Sequence, residues 1–201
     1  MNSTPPPSAP AQTPAPGLPL LAAPHRTLFF TGLLGLLLGT AWWALHICAR
    51  YHGVPLFALV LQPAPIWAHS FLMLFAVFPT LFFGFLFTVF PRWMNGPAVT
   101  RTEYVATAAL FATGTVLWLI GTVAGLGWLV GGCVAAGLAL LVAVVALFRV
   151  LLGAPQVVSH AVVVLIALCV QLVALAGFGY GIATGNDFAL HFAVRTSLWG
   201  G

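Results

Sequence analysis

The chain has 201 residues, 62% of them hydrophobic and only 4% charged, against about 25% charged in ordinary soluble domains. So few polar residues cannot clothe the surface of a water-soluble fold. The formal charge of +4 comes from six arginines that are dispersed rather than clustered, which excludes a nucleic-acid-binding reading, and three cysteines without metal-ligand spacing exclude a disulfide framework.

Residues 1–24 come first. Met1 to Gly17 holds six prolines with Ser, Thr, Gln and Ala and no charge. That composition cannot bury a core, and predicts a disordered, partly polyproline tail. It has neither the basic start nor the apolar run of a signal peptide.

Beyond the tail, charges are far apart. Arg26 and Arg50 are separated by 23 uncharged residues, Arg50 and Arg92 by 41, Glu103 and Arg149 by 45, and Arg149 and Asp187 by 37. An apolar helix of about 20 residues crosses a bilayer core of about 30 Å, and an Arg or Asp at its centre costs roughly 2.5–3.5 kcal/mol. The charges therefore mark where the chain surfaces. The spacing predicts an all-α, polytopic transmembrane bundle in residues 25–201, with spans over about 28–48, 66–90, 104–125, 128–152 and 157–182.

Gly125, Gly127, Gly131 and Gly132 are expected to form the hairpin between the third and fourth spans. Pro55, Pro63 and Pro65 belong to the first loop, Pro91 and Pro97 to the second, and Pro155 to the fourth. Pro79 falls inside the second span, where lipid tolerates it as a kink. With the N-terminus in the cytoplasm, the inside carries Arg26, Arg92, Arg101 and Arg149 and the outside Arg50, so this orientation is favoured. Trp42, Trp43, Tyr51 and Trp67 then make an outer aromatic belt, with Trp93 and Tyr104 at the inner face. A further apolar segment, 188–201, is too short to span. It is either the start of a sixth helix, making this the N-terminal part of a longer protein whose C-terminal helices complete the bundle, or an interfacial stub; the first is favoured.

Helical periodicity sorts each span into faces. In the second, Phe71, Phe75, Phe78, Phe82 and Phe85 share a stripe, expected to face lipid, while His69, Met73, Ala76, Thr80 and Gly84 face the bundle. In the first, Gly32, Gly35, Gly39, Trp42 and His46 line one side. In the fifth, His160, Val164, Ala167, Gln171 and Phe178 fall together, with Gln171 near mid-membrane. Small residues on these faces permit close helix approach.

Six histidines beside two acidic residues and no lysine is an unusual balance. Topology gathers His46, His52, His69 and His191 at the outer side and His25 and His160 at the inner. Imidazole is a common metal and haem ligand. His46 and His69 approach from separate helices on inward faces, and His191 enters from the next helix. Arg195, one turn on from His191, needs a counter-charge that a haem propionate or another small anion would supply. The candidate cofactor residues are thus His69, His46, His191 and Arg195, with His69 and His46 the metal candidates. His46 and Cys48 diverge on a helix and make a poor copper pair. A carboxylate pair, a phosphate loop and an intramembrane acidic relay are all lacking. The competing reading is a cofactor-free multi-pass transporter or membrane scaffold, with the histidines as polar packing.

Two motifs then carry a family resemblance. The stretch from Pro24 through His25, Arg26, Thr27, Leu28 and Phe29 to Phe30 resembles the Pro-Phe-Arg-Pro-Phe-Phe entry motif of the NnrS family. Trp67-Ala68-His69-Ser70, followed by Gly84-Phe85-Leu86-Phe87-Thr88-Val89-Phe90-Pro91-Arg92-Trp93, is similar to its second-helix signature. The resemblance covers about 24–100. It implies a polytopic protein of the bacterial inner membrane, roughly twice this length, associated with haem (b-type here) and copper, and with nitric-oxide stress and denitrification. Nitric oxide is the small-molecule partner so implied. Only His69 carries over as a motif histidine. Trp67 stands at the place of the first histidine and Ser70 at that of a glutamate, while His25 stands at a Phe position.

Overall fold

The computed structural model describes residues 19–53 and 63–200. Most of the proline-rich tail, and Pro55 of the first loop, lie outside the described residues. Among those described, the chain is helical and contains no strand: α1 Pro24–Tyr51, α2 Pro65–Trp93, α3 Arg101–Ala124, α4 Leu126–Leu152, α5 Ser159–Thr184 and α6 Asp187–Gly200, preceded by a 3-10 turn at Pro19–Ala22. Helices α1 to α5 run 24 to 29 residues each. At about 1.5 Å per residue each exceeds a bilayer core of about 30 Å. The chain is a multi-pass membrane protein.

Local chemistry sets the helix ends. Pro24 opens α1 and Pro65 opens α2, positions where a missing N–H costs nothing. Thr100 and Glu103 form a reciprocal capping box at the start of α3. Gly125, at φ 111°, turns α3 into α4 by itself. The expected four-glycine hairpin thus shrinks to one residue, and Gly127, Gly131 and Gly132 belong to α4. Gly132 serves a different purpose: a Cβ there would lie 3.0 Å from the Gly114 carbonyl oxygen, so α3 and α4 pack backbone to backbone.

The central helix is α2, which touches α1, α3, α4 and α6. The glycine face of α1 fits against it as its sequence suggests: Gly32 meets Leu81, Gly35 meets Val77 and Gly39 meets Met73. The phenylalanine stripe does not behave as one face. Phe78, Phe82 and Phe85 are about half exposed toward lipid, but Phe71 and Phe75 are buried, against Trp118 at 3.9 Å and Phe178 at 5.1 Å respectively. The cause is a π-helical stretch over Phe71–Val77, through which the Phe78 N–H reaches back to the Met73 carbonyl five residues earlier. The inserted residue rotates everything after it by about 100° relative to a regular 3.6 repeat.

Pro79 follows immediately. Continuing the five-residue spacing, its nitrogen would face the Leu74 carbonyl, but proline has no N–H to give. The Gln171 side-chain amide of α5 donates to that carbonyl instead, at 2.9 Å. A mid-span glutamine therefore serves a mid-span backbone defect, as the absence of water in lipid demands.

The opposite end of α2 is fixed by ions. The Glu103 carboxylate accepts from Arg149 Nε and Nη2, both at 2.8 Å, and from the Thr100 backbone N–H and hydroxyl. Arg149 Nη2 also donates to the Ala98 carbonyl at 3.1 Å, so one charge pair ties α3, α4 and the loop between α2 and α3. Close by, the Tyr104 hydroxyl donates to the Leu21 carbonyl at 2.7 Å and Thr27 donates to the Leu20 carbonyl at 2.9 Å, anchoring the turn before α1.

Two substitution experiments check this packing. Gly121→Ala places a methyl 2.7 Å from the Leu129 backbone nitrogen, which cannot yield, whereas Gly131→Ala meets only Leu117 at 3.6 Å. Denaturation in detergent should show a loss of about 1–3 kcal/mol for the first and under about 1 kcal/mol for the second. Gln171→Leu orphans the Leu74 carbonyl and should cost about 1–3 kcal/mol. Pro79→Ala restores an N–H beside that carbonyl, so the double variant should lose less than the sum of the two single losses.

Candidate functional site

At the end of the bundle formed by the C-terminus of α1 and the N-terminus of α2, imidazole and indole rings interleave. Trp42 and His46 stand four residues apart on α1 and stack at 5.8 Å with a 9° interplanar angle. Trp42 is buried, its indole N–H donating to the Thr122 hydroxyl at 3.3 Å. It is therefore a core residue, not the belt residue expected, because its place on the glycine face turns it inward. Trp43, also assigned to the belt, is partly buried and bridges two helices: its ring lies 5.8 Å from His46 and 4.5 Å from His69 of α2. The structure thus brings His46 and His69 to a single indole.

His69 is half-buried, and its Nδ1 atom is buried without a hydrogen-bond partner. Such an atom carries a desolvation penalty of roughly 1–3 kcal/mol unless something is bonded to it. The only other such side-chain atom among the described residues is Trp118 Nε1, deep in the aromatic core beside Phe71.

Two residues before His69, about 200° around α2, Trp67 faces the other way. It meets His191 of α6 edge-on at 4.8 Å. His191 and Arg195 are both exposed on α6. The four candidates therefore divide: His46 and His69 share Trp43, while His191 and Arg195 lie on the Trp67 side of α2. The remaining histidines also rest on aromatic rings. His52 packs against Tyr51 at 5.3 Å, and at the far end His25 packs against Phe29 at 6.5 Å and His160 against Trp93 at 4.7 Å.

The donor set can be tested against a metal. No group of three or more His, Cys, Asp or Glu side chains gathers among the described residues, so a closed all-protein ion site does not fit them. A haem iron asks less of a protein: one or two axial imidazoles suffice. His69, with a buried ring nitrogen lacking a partner, fits that requirement, and His46 stands one indole away.

Sequence reasoning found the inward aim of His46 and His69 but missed what lies between them. The signal for Trp43 was present: it stands three residues before His46, and a ring at that spacing covers the next turn.

Five long apolar helices, with imidazole and indole rings clustered at one end, define a multi-pass helical membrane protein. Residues 19–201 match the sequence model of the NnrS protein family, and the chain belongs to that family. At the family level this is a protein related to nitric-oxide stress. Neither the comparison with curated proteins nor that with solved structures returns a match.

His69→Leu separates site from scaffold. It removes an unpartnered buried nitrogen and keeps apolar volume, so stability of the cofactor-free protein in detergent should hold or rise. A loss above about 2 kcal/mol would mean that the ring makes bonds the structure does not contain.

Proposed function

We propose that this protein binds a b-type haem at the Trp43 end of the bundle and acts in the response to nitric oxide. The observation that carries the proposal is the buried, partnerless Nδ1 of His69, whose ring packs on the same indole, Trp43, as that of His46. His69 is the first ligand candidate and His46 the second. Trp43 packs against the His69 ring and holds its orientation. Arg195 and His191, on the Trp67 side of α2, stand apart from this pair and would serve a separate small anion rather than the haem held at Trp43. A bound haem supplies an iron able to take up nitric oxide. Copper at the same pair needs a further donor beyond those the described residues gather.

The proposed setting is the bacterial inner membrane. Arg26, Arg92, Arg101 and Arg149 all stand at the end where α1 begins, with Arg50 at the other, which supports a cytoplasmic N-terminus by the positive-inside bias.

Absorption spectroscopy of the purified full chain, expressed with ample haem, tests the reading. The expected result is a Soret band that His69→Leu abolishes or shifts and that His160→Leu, at the opposite end, leaves alone. A protein with no Soret band and no bound metal would contradict it.

A further inference from the structure

Arginines outnumber carboxylates six to two. Glu103 is committed to Arg149, the sole ion pair among the described residues, and Asp187 stands at the other end of the bundle where α6 begins. The cations around the start of α1 and the end of α2 therefore lack protein counter-charges. Arg92, in the last turn of α2, lines a cavity of about 500 Å3 together with His25 of α1 and Asn95 of the following loop. Phe87 and Pro91 give the cavity an apolar wall.

Three of the polar side chains in this cavity can donate to an anion. A guanidinium offers up to five N–H donors in a planar fork, and Asn95 and His25 can donate beside it. The Thr88 hydroxyl, also in the lining, is already given to the Gly84 carbonyl. The first turn of α1 faces the same space through Ala23, Pro24 and His25. It has no side-chain cap and no acidic residue, whereas α3 carries both. The positive pole of a 28-residue helix is thus left open beside Arg92. Depth selects the ligand: α2 surfaces from the membrane at Arg92, so donors and apolar wall meet where headgroup phosphates meet acyl chains.

We propose that this cavity binds the phosphate group of an anionic phospholipid, with Arg92 as principal partner and His25 and Asn95 completing the donor set. Basic pockets beside membrane helices are suited to such headgroups. The site lies at the opposite end of the bundle from the His46–His69 pair and does not depend on a cofactor.

Native mass spectrometry of the purified full chain, titrated with phosphatidylglycerol or phosphatidylcholine, tests it. Phosphatidylglycerol should be retained in preference to phosphatidylcholine, and Arg92→Gln should weaken its binding about tenfold, the value of one charge-assisted hydrogen bond. His25→Gln, on a different helix, should weaken it several-fold, which keeps the test independent of any folding defect in α2. Arg50→Gln, an exposed cation at the far end, should change nothing. Binding should also persist in millimolar inorganic phosphate. Equal retention of the two lipids, unchanged binding in both Arg92→Gln and His25→Gln, or displacement by inorganic phosphate would each overturn the proposal.

Discussion

A membrane interior offers a peptide group nothing to bond with, and the architecture of this protein follows from that. Straight helices answer the demand by themselves, and α1, α3, α4 and α5 largely do so. The exception is α2, where a π stretch over Phe71–Val77 runs into Pro79 and leaves the Leu74 carbonyl without an N–H. Gln171 on α5 closes the gap. A single side-chain amide thereby joins the central helix to its neighbour and stabilises a backbone irregularity deep in an apolar bundle.

The irregularity has consequences on both sides. After it, Phe78, Phe82 and Phe85 face outward; within it, Phe71 and Phe75 join Trp118 and Phe178 in the core. The π stretch begins directly after Ser70, so the azimuth of His69 relative to the lower half of α2 is set by the same inserted residue. Without it, a regular helix would present a different face to Trp43. π insertions often accompany functional sites, and here one lies between the imidazole end of α2 and its Pro79 half, with Met73 and Val77 of the stretch itself packing on Gly39 and Gly35 of α1.

Much of this was legible in the amino-acid sequence because lipid imposes simple rules. Charges spaced beyond a helix length, with glycines dividing the third span from the fourth, pointed to a bundle of long apolar helices, and five are present; the glycines of α1 showed which face meets a neighbour. Gln171 stood out at mid-membrane, although the carbonyl it serves is 97 residues away in the chain. The phenylalanine stripe misled because a regular 100° periodicity cannot register an inserted π turn. The Thr100–Glu103 spacing is a recognisable capping box, yet nothing local announces that Glu103 also holds Arg149. At the site, inward aim was readable for His46 and His69. The division of His69 from His191 was not, since it depends on Trp67 and His69 pointing to opposite sides of α2.

The rotation within α2 supports the account of both the core and the imidazole pair, and spin-label accessibility measures it directly. Nitroxides placed singly at positions 71, 75, 78, 82 and 85 in a reconstituted bilayer report contact with lipid through their collisions with dissolved oxygen. The account predicts high accessibility at 78, 82 and 85 and low accessibility at 71 and 75. Uniformly high accessibility at all five positions would show a regular helix with one lipid-facing stripe, and would contradict it.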